Sequence, residues 1–304
     1  MKLLQLRLLK TLLSNGMNVS RAAAQHYVVQ SAVSRQLSLL EEELGMPLFE
    51  RKGKRLVEPT PICRALVKEV DAIEQALENI RATADDFRME TSGDVRIATT
   101  HTQAKYFLPE ALIEFRQRYP GVAIHLLQGS PSQLVDMLLA GKADIAVCTE
   151  EIGRAPGLVS EKCYDWNHGL VLPVGHDLTE GELTLARIAQ HPILTYVFGF
   201  AGRSKIHDSF REQGLNLNVS FAATDTDVIL TYVRLGFGAG IIAKMAYSHI
   251  HHDDLVLRDL SHLLPHSTTR IAWVKNKYLK HYIEELVVLL REQGESEEWY
   301  AGIV

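Results

Sequence analysis

From residue 93 onward, strand-like and helix-like segments alternate along the chain. "GDVRIATT", "VAIHLLQG" and "DIAVCT" are rich in β-type residues, and they alternate with the amphipathic segments "FLPEALIEFRQRYPG" and "PSQLVDMLLAGKA". This β-α-β-α-β order predicts a parallel sheet with helices on its faces. The alternation returns after residue 163, from "HGLVLPV" to the long terminal helix "YLKHYIEELVVLLREQ". Two similar α/β halves predict a two-lobed domain that binds a ligand in the cleft between its lobes.

The first 60 residues are basic, whereas the rest of the chain is acidic. They hold nine Lys or Arg and five Glu, a net charge of +4, and the remainder carries −9. We call residues 1–60 the head and the rest of the chain the body. A basic head on an acidic body predicts that the head alone binds a polyanion. The opening "MKLLQLRLLKTLL" is interrupted by Gln5, Arg7 and Lys10, so it predicts an amphipathic helix of the mature protein and not a signal peptide.

Three isolated cysteines (Cys63, Cys148 and Cys163) form no disulfide framework and are expected to be small apolar residues in a reducing compartment. No apolar run approaches the roughly 20 residues of a membrane span. We therefore expect a cytoplasmic protein with no membrane partner.

Three short helical patterns precede a basic hairpin pattern in the head. Leucines at helical spacing predict a first helix over residues 2–14, and "VSRAAAQHY" predicts a second with Ser20 as its N-cap. The third, "SAVSRQLSLLEEELG", is expected to end at Gly45. Its buried stripe follows the spacing 4, 3, 4 and consists of Val33, Leu37, Leu40 and Leu44.

The other face of the third helix carries small or hydrogen-bonding side chains, as a helix that enters the major groove requires. We predict that this face contacts DNA through Gln30, Ser31, Ser34, Arg35 and Ser38. "ERKGKR" then predicts a two-stranded wing with Gly53 at its tip. Its four cations are expected to contact phosphates and to supply sequence-independent affinity, and they are Arg51, Lys52, Lys54 and Arg55. Together these patterns predict a winged helix-turn-helix.

A heptad pattern connects the head to the body. Thr60 and Pro61 predict an N-cap followed by proline at the first helical position. Seven apolar residues then follow at alternating spacings of 4 and 3, as in a coiled-coil seam: Leu66, Val70, Ile73, Leu77, Ile80, Ala84 and Phe87. This pattern predicts a dimerisation helix, although such a stripe is also compatible with packing on the chain's own body.

Several motifs are weaker indicators of function. "LGFGAG" lacks the lysine of a phosphate-binding loop and is interpreted as tight strand packing, and "SHIHHDD" is interpreted as a solvated loop and not a metal site. Cys148 lies in an apolar strand with no cation nearby to activate it. We expect no metal, no cofactor and no catalytic residues.

The order of these parts resembles the LysR-type transcriptional regulators, and "AVSRQLSLLEEELGMPLFER" is close to that family's DNA-binding motif. The body resembles the CysB/Cbl branch, which regulates sulfur assimilation. The segments that carry this resemblance include "IATTHTQAKYFLP", "KADIAVCTE", "CYDWNHGLV", "TYVFGFAGRS" and "ATDTDVILTYVRLGFGAG".

The resemblance implies an α/β fold with an N-terminal winged helix-turn-helix at residues 1–60 and a linker helix at 61–90. A two-lobed, periplasmic-binding-protein-like (type 2) effector domain follows at 91–304. Its first lobe spans about 91–162 and 267–304, and its second lobe about 163–266. The implied partners are promoter DNA, a second copy in a homodimer or homotetramer, RNA polymerase, and a small effector. Candidate effectors are sulfate, thiosulfate, acetylserine and adenylyl sulfate.

In that branch, hydroxyls, an amide and backbone N–H groups bind the effector between the lobes. The matching positions here are Thr100, Thr102, Gln103, Thr149 and Trp166. Two positions depart from the branch. Val29 stands where the recognition helix usually begins with Ser or Thr, and Ala201 stands where a hydroxyl residue is usual, which removes one donor. A helix expected to begin within Thr102–Gln103 would add its N-terminal N–H groups to the site.

Two other functions are open at this stage. A solute-binding protein of the same two-lobed fold would need no gene-regulatory role, but the basic head argues against it. An enzyme on this fold would need a nucleophile or an acid–base pair, and the spacing of the residues identifies neither.

Overall fold

The computed structural model describes residues 1–53, 55–88, 92–248 and 253–296, without the side chains of residues 150 and 151. The chain divides into two compact units, residues 1–84 and 85–304. In the described residues, no helix is both long and apolar enough to cross a membrane.

The first unit begins with three helices and a hairpin. They are α1 (Leu3–Ser14), α2 (Val19–Gln25), α3 (Gln30–Leu44), β1 (Phe49–Lys52) and β2 (Arg55–Pro59). The two strands are antiparallel, and Lys52 faces Arg55 across a turn in which Gly53 has a φ of +65°. The predicted stripe of α3 packs into the core of this unit, with Val33, Leu37 and Leu40 fully buried and Leu44 partly buried.

The caps of these helices differ in part from the prediction. Asn18, and not Ser20, caps α2, because its side chain accepts a hydrogen bond from the backbone N–H of Arg21. Ser20 was the wrong choice because the helix begins at Val19, two residues earlier than a cap at Ser20 requires. Val29 occupies the N-cap of α3 without a side-chain hydrogen bond. Gly45 ends α3 in the left-handed region with a φ of +70°, as predicted.

The connector is a single helix, α4 (Pro61–Asp86). The hydroxyl of Thr60 accepts the backbone N–H of Cys63 at 3.4 Å, so Thr60 is the predicted N-cap. The heptad stripe has two parts. Leu66 and Val70 pack into the core of the first unit, as the alternative interpretation held, whereas Ile73 and Ile80 are exposed. Phe87, the last member of the stripe, follows the end of the helix and is also exposed.

The second unit contains two five-stranded sheets. The first, ordered β4-β3-β5-β12-β6, consists of β3 (Ser92–Thr99), β4 (Gly121–Gln128), β5 (Ile145–Thr149), β6 (Leu158–Trp166) and β12 (Ser267–Val274). The second, ordered β11-β7-β10-β8-β9, consists of β7 (His168–Pro173), β8 (Ile193–Tyr196), β9 (Val219–Ala223), β10 (Ala239–Ala243) and β11 (Leu255–Asp259).

Helices connect the strands of each sheet. Those of the first lobe are α5 (His101–Tyr106), α6 (Leu108–Arg118), α7 (Pro131–Leu139) and α12 (His281–Glu295). Those of the second lobe are α8 (Leu185–Ile188), α9 (Arg203–Glu212), α10 (Thr226–Arg234) and α11 (Met245–Ser248).

The three strands of the β-α-β-α-β segment are parallel, as predicted, but both sheets also contain antiparallel strands that the prediction did not include. β3 is parallel to β4 and β5, whereas β12 is antiparallel to β5 and β6. In the second sheet, β7 is antiparallel to β10 and β11. The cause is the path of the chain, because β12 returns to the first sheet after the second lobe is complete. The predicted lobe boundary at 162/163 falls inside β6, which stays in the first sheet up to Trp166.

Candidate functional site

Five side chains predicted to bind an effector come from the ends of three strands of the first lobe. Thr100 follows β3 and is the N-cap of α5, and Thr102 and Gln103 lie in the first turn of that helix. Thr149 is the last residue of β5, and Trp166 is the last residue of β6. Because the carboxyl ends of the parallel strands meet at one edge of the sheet, residues far apart in sequence converge there.

The structure brings all five side chains to one small cavity, where Thr100, Thr102, Gln103, Thr149 and Trp166 form the first-lobe wall. The second lobe supplies Ala201, which the sequence identified as a departure from the branch, and three lining residues that it did not identify: Phe200, Thr224 and Ala243. The cavity measures about 10 Å³. That volume is about what one water needs, so a tetrahedral oxyanion requires the lobes or their side chains to move.

Gln103 is held in one orientation by two buried neighbours. Its Oε1 accepts a hydrogen bond from the Tyr164 hydroxyl at 2.5 Å, and its Nε2 donates to Thr269 Oγ1 at 3.2 Å. An amide nitrogen has two hydrogens, so one N–H donor remains for the cavity. The side chain is therefore a preorganised donor, and Tyr164 fixes which end of the amide is nitrogen.

Two donors of the cavity, the Thr100 hydroxyl and the Trp166 indole, are not used by the local fold. Thr100 caps α5 without a side-chain hydrogen bond, in contrast to Thr60, whose hydroxyl caps α4. The indole Nε1 of Trp166 is buried and has no hydrogen-bond partner within the described residues. A buried N–H without an acceptor is unfavourable by roughly 1–3 kcal/mol, so an acceptor that enters the cavity would be favoured.

Ala201 presents a methyl group where a hydroxyl was expected from related sequences. Its φ of +41° is unusual for a residue with a side chain. The carbonyl of Ala201 accepts a hydrogen bond from His168 Nε2 at 2.8 Å, which stabilises this conformation. Its neighbour Gly202 has a φ of +68°, and a Cβ there would lie 2.7 Å from Ser267 Oγ. The position of the backbone is thus fixed, and the donor set lacks one hydroxyl.

His101 lies beside the cavity but does not line it. Its Nε2 is 3.1 Å from Asp227 Oδ2, and Lys105 Nζ lies 2.7 Å from both oxygens of the same carboxylate. The Tyr106 hydroxyl donates to Asp227 Oδ1 at 3.0 Å. Asp227 belongs to α10 of the second lobe, whereas its three partners belong to α5 of the first. This cluster therefore connects the two lobes next to the cavity.

The cluster changes the titration of its members. Partial burial alone would raise the pKa of Asp227, but hydrogen bonds from Lys105, His101 and Tyr106 outweigh it and hold that pKa below its usual range. Burial and the Asp227 charge raise the pKa of Tyr106. Asp227 is thus a carboxylate and Tyr106 a phenol at neutral pH, which is the donor–acceptor arrangement that the connection between the lobes needs.

A second candidate site lies on the first unit. The face of α3 that was predicted to contact DNA is exposed throughout, from Gln30 and Ser31 at its N-terminus through Ser34, Arg35 and Ser38. Lys52 and Arg55 are exposed in the hairpin, with no ion pair recorded among the described residues. Lys54 lies outside the residues that the structure describes.

Not every cation of the head is free for a polyanion. Arg51 Nη2 lies 2.6 Å from Glu41 Oε2, and Glu41 Oε1 accepts the backbone N–H of Leu48. Lys10 is paired with both Asp71 and Glu74 of α4. Lys10 and Arg51 are therefore partly neutralised by carboxylates of the same unit, whereas Arg35, Lys52 and Arg55 have no such ion pair among the described residues.

Tyr27 is a surface residue that the sequence reading missed. It was placed inside the second helix, but α2 ends at Gln25 and Tyr27 has a φ of +54°. Its side chain is 97% exposed in the turn that precedes α3. An aromatic residue followed by valines gave no indication of a turn, so only the structure identifies it as a possible neighbour of DNA.

The motifs that were set aside have structural explanations where the structure describes them. A Cβ at Gly238 would lie 2.1 Å from the carbonyl oxygen of Pro192, which confirms the interpretation of "LGFGAG" as tight packing. The three cysteines are buried, and burial raises the pKa of Cys63 to about 11. Residues 249–252 of "SHIHHDD" lie outside the described residues.

Two clusters of His and Asp side chains bring atoms that could bind a metal ion within 4.8 Å of one another. The first is His101 with Asp225 and Asp227, where Lys105 already neutralises Asp227. The second is His176 with Asp177 and His191, where His176 Nδ1 accepts the backbone N–H of Leu178. Both clusters thus have structural roles.

A three-helix head with an antiparallel hairpin, a long connecting helix and a two-lobed α/β domain with a cavity between its lobes together define a DNA-binding regulator with an effector domain. Comparison with known families gives two matches. Residues 3–64 match the bacterial regulatory helix-turn-helix protein, lysR family, and residues 88–295 match the LysR substrate binding domain. The chain belongs to the LysR family of transcriptional regulators.

Individual relatives are similar over nearly the whole chain. The HTH-type transcriptional regulator CysB of Haemophilus influenzae is 40% identical over 94% of this chain and 89% of its own. The HTH-type transcriptional regulator SsuR of Burkholderia cenocepacia is 41% identical over 93% of this chain and 92% of its own. The crystal structure of the cofactor-binding domain of the Cbl transcriptional regulator superposes with a TM-score of 0.65 and 37% identity, covering 70% of this chain and 93% of that domain.

Proposed function

We propose that this LysR-type regulator controls genes of sulfur metabolism and senses a small sulfur-linked oxyanion or acyl-serine in the cavity between its lobes. The ligand candidates are sulfate, thiosulfate, acetylserine and adenylyl sulfate. The proposal draws on the similarity to the regulators CysB, SsuR and Cbl, and on the chemistry of the cavity. It places the protein in the cytoplasm, where promoter DNA is found.

One observation carries the ligand proposal: the described side chains that line the cavity offer neutral donors, and they include neither a carboxylate nor a full positive charge. Thr100 and Thr102 supply hydroxyls, Gln103 supplies an oriented amide, and Trp166 supplies an indole N–H without an acceptor. A set of neutral donors selects an anion by geometry and releases it readily. These properties suit a sensor better than a tight scavenger.

The head would bind promoter DNA in two ways. Ser31, Ser34 and Arg35 on α3 would contact base edges in the major groove, and Lys52 and Arg55 would contact phosphates. Tyr27 would lie beside the same backbone. Because two-fold proteins bind two half-sites, the exposed part of the heptad stripe on α4 would pair with a second copy in a homodimer or a homotetramer. RNA polymerase would be a further partner.

Three functional regions follow from this assignment: a DNA-binding region at residues 1–60, a dimerisation helix at 61–90 and an effector domain at 91–304. Effector binding would change the separation of the two lobes, because the cavity is too small for an oxyanion as it stands. A ligand that favours one lobe arrangement shifts the population toward it and thereby changes DNA affinity or bending.

Calorimetry of the full chain against sulfate, thiosulfate, O-acetylserine, N-acetylserine and adenylyl sulfate tests the ligand proposal. At least one of these should bind, and Thr102→Ala should weaken that binding by about 1–2 kcal/mol, the effect of losing one charge-assisted hydrogen bond. The matched control is Thr179→Ala, which removes a hydroxyl that donates to the His176 carbonyl outside the cavity. Equal affinities of the Thr102 variant and the control would remove Thr102 from the site.

A solute-binding protein of the same two-lobed fold has no support from these relatives, which are named as transcriptional regulators. A mobility-shift assay at physiological salt separates the two functions. The regulator binds a promoter fragment better than random DNA of equal length, whereas a solute-binding protein binds both equally.

A further inference from the structure

Arg203 is a buried cation at the start of α9. Its side chain is 5% exposed, and it is the one Lys or Arg among the buried residues that the structure describes. Arginine is rarely buried unless a carboxylate or another anion accompanies it. The partners of Arg203 therefore decide what the residue is for.

The buried acid of the same unit shows what a compensated charge looks like. Asp144 accepts hydrogen bonds from Arg96 Nη2 at 2.8 Å and from Lys277 Nζ at 3.0 Å. Arg203 differs from Asp144, because its Nη1 is buried with no hydrogen-bond partner and no ion pair links its guanidinium to a carboxylate whose side chain the structure describes. Its guanidinium lies 4.6 Å from the centre of the Phe198 ring, a contact that supplies attraction but no negative charge.

The surroundings of Arg203 disfavour its charged form. Burial lowers the pKa of Arg203, and no carboxylate counteracts that shift. Guanidinium stays protonated in proteins all the same. The residue is thus a positive charge without a counter-ion among the described residues.

Arg203 adjoins the effector cavity along the chain. Phe200 and Ala201 line that cavity, and Gly202 is the N-cap of the ten-residue helix α9 with no side chain to cap it. The helix N-terminus adds partial positive charge and N–H groups at the same place. Ser267, whose Oγ would lie 2.7 Å from a Cβ at Gly202, is a second buried donor without a recorded partner.

We propose that Arg203 and the N-terminus of α9 form a second anion subsite, which binds an acidic group of an effector whose first oxyanion lies among Thr100, Thr102 and Gln103. This proposal rests on the proposed function of that first cavity. It defines the ligand as a molecule with two separate anionic groups, a sulfate-like group and a carboxylate or phosphate. Inorganic sulfate would occupy the first subsite alone.

Calorimetry of the full chain with two probes tests this ligand class. Adenylyl sulfate carries a sulfate and a phosphate group, whereas inorganic sulfate carries one anionic group. Arg203→Gln should lower the affinity for adenylyl sulfate about tenfold or more, as expected for a lost charge-assisted bond, and should change the affinity for sulfate less than about twofold. Thr102→Ala should lower the affinity for both probes. Arg211→Gln, on the same helix but 70% exposed and paired with Asp208, should change neither.

Several outcomes would overturn the second subsite. If Arg203→Gln lowered the affinity for both probes equally, Arg203 would belong to the first subsite. If neither affinity fell, Arg203 would have no role in binding. If the full chain bound neither probe, the two-anion ligand class would be rejected. If instead Arg203→Gln acts as expected but Thr102→Ala has no effect, the first cavity is misassigned. The two proposals therefore fail in different ways.

Thermal unfolding without ligand separates a binding role from a structural one. Arg203→Met removes a buried charge that lacks a counter-ion, so its Tm should equal or exceed that of the wild type. A strong fall in Tm would show that contacts within the chain stabilise the charged side chain without a ligand, and the subsite proposal would be wrong.

Discussion

Both oxygens of the Asp227 carboxylate, in α10, lie 2.7 Å from Lys105 Nζ, in α5, and this ion pair joins the second lobe to the first. His101 and Tyr106 bind the same carboxylate from the same helix. α5 also carries Thr102 and Gln103, which line the cavity. Any movement that opens the cavity by separating the lobes must therefore stretch or break the Asp227 contacts.

We predict that Asp227→Asn accelerates both association and dissociation of the effector. The amide retains hydrogen bonds to its neighbours but loses the attraction to Lys105, and a partly exposed ion pair of this kind corresponds to about a twofold to fivefold change in rate. Stopped-flow fluorescence measures both rates. Asp208→Asn, which removes an exposed pair with Arg211 outside the contact between lobes, is the matched control. Rates equal to wild type in the Asp227 variant would show that the contact does not limit opening.

Tyr164→Phe should weaken effector binding although Tyr164 does not line the cavity. The change removes the hydroxyl that orients the Gln103 amide, so the amide gains freedom to rotate and its N–H is no longer preorganised. We expect a loss of about 1 kcal/mol in binding free energy by calorimetry. The control is Tyr247→Phe, which removes a partly buried hydrogen bond from the Tyr247 hydroxyl to the Leu255 carbonyl elsewhere in the second lobe and should leave effector affinity unchanged. A Tyr164 variant that binds as tightly as wild type contradicts the orienting role.

Different cations of the head should affect DNA binding differently. Lys52→Ala removes one phosphate contact and should lower the slope of log K for DNA binding against log salt concentration by about 1. The affinities for specific and for random DNA should fall by the same factor. Arg35→Ala should reduce the preference for the specific sequence as well, by about 1–3 kcal/mol. Fluorescence anisotropy across a salt series measures both quantities. If Arg35→Ala weakened specific and random DNA by the same factor, Arg35 would be a phosphate contact and not a base contact.

Ile80→Asp should weaken self-association while leaving each subunit folded. Ile80 is 65% exposed on α4, so its replacement disturbs no described core, but a charge in a coiled-coil seam opposes pairing. Sedimentation equilibrium should show a lower molecular mass at micromolar concentrations. Glu78→Ala, an exposed change two residues away, is the control. An unchanged mass would place the dimer contact elsewhere in the molecule.

The sequence predicted the helix-turn-helix, the hairpin, the connecting helix and eight of the strands in the second unit, because their apolar periodicity is strong. It did not predict β6 or β11 as strands. Only three of the nine residues of β6 reach the core, and a register shift opposite Thr269 and Arg270 interrupts the alternation of that strand. The mixed character of both sheets was missed for a related reason, since local pattern does not record which lobe a strand returns to.

The candidate site shows the same limit. Thr100, Thr102, Gln103, Thr149 and Trp166 were identified because they match positions of the branch that the sequence resembles. Phe200, Thr224 and Ala243 come from the opposite lobe, and nothing local distinguishes them from core residues. The role of Tyr164 behind Gln103, and of Asp227 beside Lys105, depends on contacts between segments 61 and 122 residues apart. Long-range pairs of this kind are set by the fold.

We expect effector binding and DNA binding to be coupled through the arrangement of the lobes. The test is a calorimetric titration of the effector into free protein and into protein saturated with DNA, using a DNA fragment that the protein has selected from a random pool. The two effector affinities should differ by roughly fivefold or more, and the same factor should separate the DNA affinities measured with and without effector. Equal effector affinity for free and DNA-bound protein would contradict this coupling.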